Sequence, residues 1–334
     1  MTKAIPIGEF LNTDLSLIID VRSPREYAES HIVGAQNFPV LNDTEYQQIG
    51  TLYRQDSFKA KVIGASFVSQ NIAKHLLVLK DKISPQKPFG IYCARGGMRS
   101  HAFFIVLQNI GYQVVLLEGG YKSYRKEVLK SLEGSPAQHF VTLVGQTGGG
   151  KSEIIRNFSD SLDIEGIANH LGSSFGAICG KQPSVKMFQN LLFARLRALE
   201  SAPFVLVEGE SKKLGGLILP TPLYQSYQNA PKILIVAPLE QRVQRIVTQY
   251  GKISSQFFEN SMQKIAPFMK KEFWREAKSA FYARDLMRTA EILLLEYYDK
   301  VYKKESYLCA ISYQNLSQVI ADIQDFATRF YHLK

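Results

Sequence analysis

Residues 145–152 carry the feature that most restricts the fold of this chain, a glycine-rich loop with the pattern G-x-x-x-x-G-K-[ST]. The apolar run VTLVG precedes this loop, and the helix-compatible run EIIRNF follows it. This setting predicts a strand, a phosphate-binding loop and a helix, because glycines let successive backbone N–H groups point into one concavity. The predicted phosphate-binding residues are Gly145, Gln146, Thr147, Gly148, Gly149, Gly150, Lys151 and Ser152.

The same pattern predicts a bound pyrophosphate group but does not specify ATP. Lys151 is expected to reach the outer phosphate, and Ser152 is expected to bind a magnesium ion. A later buried run, FVLVEGE, carries Glu208 at its acidic end, which makes Glu208 a candidate for the water shell of that metal.

A second strand, loop and helix surround Cys93. The apolar run FGIYC ends on Cys93, and a helix is predicted to begin near Ser100. Backbone N–H groups, the helix start and the side chains of Arg95 and Arg99 all favour a thiolate, so Cys93 is predicted to be a nucleophile. The spacing C-x5-R is that of cysteine phosphatases and is one residue longer than the usual sulfur-transferring rhodanese loop. It therefore predicts a pocket for an anion about the size of phosphate.

Alternating apolar runs and helical patterns predict two α/β domains, the first with a parallel sheet. A small, polar stretch with one proline at residues 131–138 separates them, so the predicted domains are residues 1–134 and 135–334. From about residue 256 the chain is aromatic, basic and helical in pattern, and this tail is expected to pack on the second domain. The tail residues that combine cations with a ring, and are therefore candidates for RNA binding, are Lys270, Lys271, Trp274 and Arg275.

Composition supports a folded protein with a polyanionic partner. Hydrophobic residues make up 46% of the 334 residues, and the net charge of +10 is typical of a chain that binds phosphates. Three cysteines, Cys93, Cys179 and Cys309, are too few for a disulfide framework, so any that matters is expected to act as a thiol. No apolar run is expected to reach the roughly 18 residues of a membrane span, which predicts a cytoplasmic protein.

Together, these segments resemble the bacterial tRNA 2-selenouridine synthase family, in which a rhodanese-like domain precedes a P-loop domain. In the first domain the resemblance rests on IDVRSPREY, HIVGAQNFPV, GTLYRQDSFKAKVIGA and YCARGGMRS. In the second it rests on the P-loop and on DIEGIANHLGSSFG, VEGESKKLGGLILP and LLLEYYDKVY. The resemblance covers nearly the whole chain and implies an α/β fold with a helical C-terminal part.

This resemblance implies an enzyme that converts the wobble 2-thiouridine of tRNA to 2-selenouridine, with selenophosphate as donor and an S-geranyl intermediate made from geranyl diphosphate. Cys93 and Arg99 would then receive selenophosphate, and the P-loop would hold the diphosphate. No tightly bound cofactor is expected beyond a possible magnesium ion. Glu165 and His170 are further candidates for substrate contact, because the family pattern runs through the polar residues of their segment.

Two other functions remain open from the residues alone. An ATP-dependent tRNA sulfurtransferase or kinase would use the P-loop to activate a substrate and Cys93 to deliver sulfur. A non-catalytic sensor would bind anions on both loops without turnover. The cysteine loop argues against the sensor, because simple anion binding does not need a thiolate.

Overall fold

The computed structural model describes residues 4–173, 175–209, 211–302 and 305–332. The chain forms two compact units. The first contains residues 1–131 and 183–194, and the second contains residues 132–182 and 195–334. The first break lies close to the predicted boundary at 134/135. Nothing in the sequence indicated that residues 183–194 belong with the first unit.

The first unit is built on a five-stranded parallel sheet in the order β1-β5-β4-β2-β3. Its central strands are apolar on both faces, as expected for a parallel sheet covered by helices on both sides. All four residues of β4 and all four of β5 are buried, so the carboxyl end of β4 is held firmly in the core. The strands are β1 Ala4–Ile5, β2 Ile18–Asp20, β3 Gln36–Asn37, β4 Phe89–Tyr92 and β5 Val114–Leu117.

Several helices of the first unit begin at side-chain caps that the sequence encodes. Ser23 and Asn42 each form a capping box with a glutamate three residues later, which satisfies backbone N–H groups at the helix start. The helices up to the unit boundary are α1 Ile7–Asn12, α2 Pro24–Glu29, α3 Asp43–Gln55, α4 Ser57–Leu79, α5 Met98–Ile110 and α6 Gly120–Glu133.

Helix α4 bears on the expectation that no apolar run reaches the length of a membrane span. Its 23 residues include an 18-residue window with a mean hydropathy of 1.3, so it is long and apolar enough by these two measures to cross a membrane. The sequence prediction concerned a continuous apolar run, and this stretch is not one, because Gln70, Asn71 and Lys74 interrupt it. Core helices of soluble proteins satisfy the same two measures, although only 22% of this window is buried.

The second unit contains another five-stranded parallel sheet, in the order β12-β11-β6-β8-β7, and a short antiparallel hairpin. The predicted apolar runs form its three central strands. The edge strand β12 lies in the tail that was expected to be helical, because CAIS is too short to give a strand signal until it pairs with β11. The strands are β6 Phe140–Val144, β7 Ser161–Leu162, β8 Val205–Glu208, β9 Lys213–Leu214, β10 Leu217–Ile218, β11 Lys232–Val236 and β12 Cys309–Ser312.

Helices after the P-loop cover this sheet and build a separate apolar cluster in the tail, except the helix Val185–Ala198, whose first ten residues belong to the first unit. That cluster includes Phe258 and Phe281, whose rings stack with centroids 3.8 Å apart. A π-helical turn at Leu294–Tyr298 directly follows α14. The helices are α7 Lys151–Asn157, α8 Ile164–Ala168, α9 Val185–Ala198, α10 Thr221–Gln228, α11 Leu239–Tyr250, α12 Ser255–Ile265, α13 Lys271–Tyr282, α14 Leu286–Leu293, α15 Asp299–Val301 and α16 Leu316–Phe330.

Candidate functional site

The Cys93 loop holds its sulfur with hydrogen bonds from its own helix start. Cys93 follows β4 and is 3% exposed. The Gly97 backbone N–H and the Ser100 hydroxyl each donate to Cys93 Sγ at 3.2 Å. Two donors thus hold the sulfur at the start of α5, the position that the sequence predicted for a nucleophile.

Gly120, the first residue of α6, packs closely against the backbone of the Cys93 loop. Gly120 has a φ of +58°, and a Cβ atom there would lie 2.3 Å from the Cys93 carbonyl oxygen and 2.5 Å from the Gly96 nitrogen. That carbonyl accepts a hydrogen bond from the Tyr121 N–H at 2.8 Å. The loop conformation therefore depends on a residue without a side chain at position 120.

The two predicted arginines of this loop lie in different environments. Arg95 is exposed. Arg99 donates to both carboxylate oxygens of Glu26, at 2.6 and 3.3 Å, and its guanidinium carbon lies 5.0 Å from the ring centroid of Tyr46. Burial acts to lower the pKa of Arg99, but the Glu26 hydrogen bond and charge raise it overall. Arg99 is thus a fixed cation whose first partner is a carboxylate that the sequence did not indicate.

A buried ion pair supports the same region of the first unit. Asp20 is fully buried and binds the Arg22 guanidinium through both carboxylate oxygens. The Tyr92 hydroxyl donates to Asp20 at 2.6 Å, and the Tyr121 ring lies 3.9 Å from the Arg22 guanidinium carbon. Tyr92 directly precedes Cys93, and the Tyr121 N–H donates to the Cys93 carbonyl. The ion pair and these two tyrosines therefore hold Cys93 in position.

The P-loop joins β6 to α7 as predicted, and its lysine folds back onto it. Lys151 Nζ donates to the Gly145 carbonyl at 2.8 Å and lies 3.4 Å from a carboxylate oxygen of Glu208. Gly145 has a φ of +145°, and a Cβ there would lie 2.4 Å from the Ile235 carbonyl oxygen. The amine is therefore held at the mouth of the loop, where an incoming phosphate can replace the carbonyl as its partner.

Two carboxylates meet at the hydroxyl of Ser152. Ser152 Oγ lies 2.9 Å from Glu208 Oε2 and 3.1 Å from Glu165 Oε2. Both glutamates are nearly buried, at 9% and 6% exposure. One hydroxyl and two carboxylates form an all-oxygen donor set of the kind that magnesium prefers, so these residues fit the predicted ion. The structure brings together three candidates that the sequence could only name separately.

A cavity of about 870 Å³ opens in front of these residues within the second unit. Its walls include the P-loop from Gly148 to Glu153, both glutamates and Arg245. His170 is not among its lining residues, although the adjacent residues 171–173 are. The His170 ring accepts a hydrogen bond from the Gly172 N–H, and burial lowers its pKa, with a further contribution from Lys264. His170 thus supports the segment that forms the wall.

Sequence reasoning missed the arginines of α11 that hold the P-loop from outside. Arg242 donates to the Thr147 carbonyl at 2.9 Å and to the Gln146 side chain at 3.1 Å, and it pairs with Asp299. Arg245 donates to the Gly148 carbonyl at 3.2 Å. Their only sequence signal is their spacing of three residues, which places them on one face of a helix.

The tail candidates divide between surface and core. Lys270, Lys271 and Arg275 are exposed. Trp274 is half-buried against the tail cluster, its indole N–H donates to the Met262 carbonyl at 2.9 Å, and Lys278 Nζ lies 4.5 Å from its ring centroid. The Trp274 side chain therefore already serves packing, and contact of these four residues with RNA stays a prediction.

The other cysteines do not resemble Cys93. Cys309 is half-buried in β12 as a free thiol. The side chain of Cys179 lies outside the described residues. Among the parts of the chain that the structure describes, no three His, Cys, Asp or Glu side chains come together to hold a metal ion.

The fold and the two loops define a protein with a rhodanese-like domain and a P-loop domain. Residues 8–127 match the rhodanese-like domain family. Residues 138–272 match the family described as the AAA domain of tRNA 2-selenouridine synthase. The chain belongs to the tRNA 2-selenouridine synthase family, as curated relatives also show.

The tRNA 2-selenouridine synthase of Pseudomonas fluorescens is 37% identical over 241 residues, which are 70% of this chain and 65% of that protein. That of Psychromonas ingrahamii is 31% identical over 243 residues, which are 72% of this chain and 67% of that protein. That of Shewanella frigidimarina is 32% identical over 257 residues, which are 75% and 70% of the two chains. These matches thus span about two thirds of the length of the relatives.

Two solved structures overlap with part of the chain. The N-terminal domain of a Clostridium difficile protein assigned as ATP/GTP binding is 36% identical, covers 38% of this chain and 99% of that one, and has a TM-score of 0.36. A rhodanese-related protein of Thermoplasma volcanium is 21% identical, covers 37% and 92% of the two chains, and has a TM-score of 0.24. Neither overlap adds to the family assignment.

Proposed function

We propose that this protein replaces the sulfur of wobble 2-thiouridine in tRNA by selenium, in two half-reactions that use its two loops. One observation carries the proposal: the chain combines a cysteine sulfur that receives two hydrogen bonds with a P-loop whose serine lies between two carboxylates. The names of its relatives, which are tRNA 2-selenouridine synthases, supply the substrate.

The first half-reaction is assigned to the P-loop, with geranyl diphosphate as co-substrate. The thione sulfur of 2-thiouridine attacks C1 of the geranyl group, the C1–O bond breaks, and diphosphate leaves with the bonding electrons. The nucleoside loses its N3 proton and becomes neutral S-geranyl-2-thiouridine. Lys151 and the loop N–H groups stabilise the charge that grows on the departing diphosphate.

Magnesium would assist this step by neutralising charge on the diphosphate. Ser152 and Glu208 would hold the ion, with Glu165 beside them, because their oxygens already converge. Lys151 would turn from the Gly145 carbonyl to a phosphate oxygen. The fixed contacts of Arg242 with the loop keep the backbone in place while the lysine moves.

The second half-reaction is assigned to the Cys93 loop, with selenophosphate as donor. The Cys93 thiolate attacks C2 of the pyrimidine, and the bond from C2 to the geranyl sulfur breaks to release geranylthiol, which takes up one proton. Selenium of selenophosphate then attacks C2, and the bond from C2 to Cys93 Sγ breaks, which restores the thiolate. Water then cleaves the P–Se bond, which yields phosphate and 2-selenouridine without any change in net oxidation state. The Cys93 loop, with Arg99 as its cation, would bind the selenophosphate.

The charge and the substrate suggest where this protein works and with what. A net charge of +10 suits a partner as anionic as tRNA. Because tRNA is modified in the cytoplasm, we place the enzyme there, acting as a transferase on the anticodon loop.

A reconstitution with purified protein tests this function. The protein is incubated with 2-thiouridine tRNA, selenophosphate, geranyl diphosphate and magnesium, without ATP, and the nucleosides are analysed by mass spectrometry. We expect 2-selenouridine, with S-geranyl-2-thiouridine when selenophosphate is omitted. An absolute need for ATP would instead favour the kinase or sulfurtransferase, and anion binding without any turnover would favour the sensor.

A further inference from the structure

A narrow apolar pocket, here called the side pocket, lies in the second unit among α11, α12, α13, α14 and the π-helical turn. Within the described residues its lining is aliphatic or aromatic, apart from Thr147, Gly251 and Thr289. The Thr289 hydroxyl donates to the Asp285 carbonyl of its own helix at 2.8 Å, so it offers a ligand little. An apolar pocket of this kind suits hydrocarbon and offers few polar groups to a base or a sugar.

The side pocket lies next to the P-loop cavity, and the two share part of their walls. Thr147, Ile246, Tyr250 and Tyr298 line both of them. Thr147 belongs to the P-loop itself. A molecule with its phosphates on the P-loop therefore has an apolar pocket beside it.

Three hydroxyl groups mark the boundary between the two spaces. Ser173 Oγ lies 3.3 Å from the Tyr250 hydroxyl, and it also hydrogen-bonds to the Tyr298 hydroxyl. Ser173 lines the P-loop cavity but not the side pocket, whereas both tyrosines line both. The polarity thus changes at one place, as a ligand with a charged head and an apolar tail requires.

The π-helical turn links the wall of the side pocket to the P-loop. Leu294 and Tyr298 of this turn line the side pocket, and Asp299 follows them. Asp299 pairs with Arg242, which bonds to the Thr147 carbonyl. Single π-helical turns within helices occur often at functional sites, and this one positions a tyrosine between the two spaces.

We propose that the side pocket binds the hydrocarbon chain of an allylic diphosphate whose head is bound by the P-loop, and that its walls set the chain length. This inference rests on the proposed geranyl transfer. The volume of the side pocket is only about 50 Å³, so the surrounding side chains must move apart when a hydrocarbon chain enters. A nucleoside would lose the hydrogen bonds of its base and ribose there, so the pocket selects prenyl over nucleoside diphosphates.

Titration calorimetry on the full chain with magnesium tests the pocket. The probes are inorganic pyrophosphate, which has only the head group, and geranyl diphosphate. Each buried methylene adds roughly fourfold in affinity, so we expect geranyl diphosphate to bind at least about 30-fold more tightly than pyrophosphate. Equal affinities for the two probes would overturn the proposal.

A substitution in the wall separates chain binding from head binding. Ala290 lines the side pocket and is 3% exposed. Ala290→Leu should weaken geranyl diphosphate at least about 10-fold and leave pyrophosphate within about twofold, since only the chain space is filled. The matched control is Ala283→Leu, the same change at an exposed position, which should alter neither. Unchanged geranyl diphosphate affinity in Ala290→Leu would overturn the proposal.

A second variant covers the case in which Ala290→Leu also loses pyrophosphate through misfolding. Leu286 is a half-buried wall residue, and Leu286→Ala should improve farnesyl over geranyl diphosphate binding by about fivefold, because a shorter side chain lengthens the pocket. An unchanged ratio would reject the pocket. The proposed geranyl transfer has its own test. It is rejected, and the pocket is not, if the parent protein binds geranyl diphosphate through this pocket but forms no S-geranyl nucleoside.

Discussion

The Cys93 loop and the P-loop are built alike but present opposite chemistry. Each follows a buried strand and leads into a helix. In the first, a backbone N–H and a hydroxyl point at the loop's own sulfur. In the second, a lysine and a serine are held by carboxylates and carbonyls of their surroundings.

The comparison shows that a strand, loop and helix supply only a place for an anion. Under the proposed function, side chains at one or two loop positions decide whether that place makes a nucleophile or stabilises a leaving group. The partners of those side chains come from elsewhere, Glu26 for Arg99 and Glu208 for Lys151. The division of labour can therefore be broken one loop at a time.

The largest effect is expected from removing the reactive group of each loop. Cys93→Ala should lower selenium transfer by about 10³-fold or more and leave geranyl transfer intact, so S-geranyl tRNA accumulates. Lys151→Ala should lower geranyl transfer by a similar factor. Mass spectrometry of tRNA nucleosides reads both steps, and loss of the same step in both variants would contradict two separate sites.

Adding a side chain at position 120, next to the Cys93 carbonyl, should destabilise the first unit selectively. Gly120→Ala places a Cβ against the Cys93 carbonyl at a positive φ, which should cost the first unit about 2 to 4 kcal/mol in the free energy of unfolding. Gly8→Ala is the matched control, because nothing lies within 4 Å of a Cβ there. Denaturant melts measure the free energy of unfolding of both variants. Equal values would mean that the Cys93 loop does not depend on close packing against Gly120.

Neutralising one carboxylate at Ser152 should sharpen the metal assignment. Glu208→Gln keeps the side-chain shape but removes the charge, and should reduce geranyl transfer about 10- to 100-fold and raise the magnesium requirement. The exposed residue Glu200 gives the control variant Glu200→Gln. The test is a magnesium titration of geranyl transfer. An unchanged midpoint in Glu208→Gln would show that Glu208 does not bind the ion.

Reversing the charge of two exposed tail lysines should weaken tRNA binding and affect the two half-reactions equally. Lys270→Glu with Lys271→Glu should cost about 1 kcal/mol or more in tRNA affinity and flatten the salt dependence, whose slope is roughly −0.7 to −0.9 per neutralised phosphate. Lys59→Glu with Lys61→Glu, exposed lysines of α4, is the control for net charge. A salt titration decides, and identical slopes for the two double variants would move the tRNA surface away from the tail.

The smallest effect is an acid sensitivity that the two domains should share. Burial lowers the pKa of His75 in the first unit and of His170 in the second. A depressed folded-state pKa contributes stability above the ordinary value of about 6.5 that is lost as the pH falls through the folded-state pKa. His170→Gln should flatten the acid limb of the unfolding curve measured from pH 7 to 5. An identical curve would show that His170 does not titrate on unfolding.

Local patterns were enough to predict both loops. FGIYC and HFVTLVG became β4 and β6, and the P-loop and cysteine loop follow them as expected. The helix predicted from Ser100 begins at Met98. The aromatic tail was harder to interpret, because helical spacing alone cannot show whether a ring such as Trp274 faces solvent or the cluster around Phe258.

The sequence by itself determined the two strand-loop-helix units, since each depends on residues next to one another: an apolar run, glycines and a reactive side chain. Tertiary structure alone decided which distant groups those side chains meet. Glu165 and Glu208 are 13 and 56 residues from Ser152, and Glu26 is 73 residues from Arg99. Such pairs depend on strand order and helix packing, so residue types and spacing do not reveal them, and the side pocket at the P-loop arises in the same way.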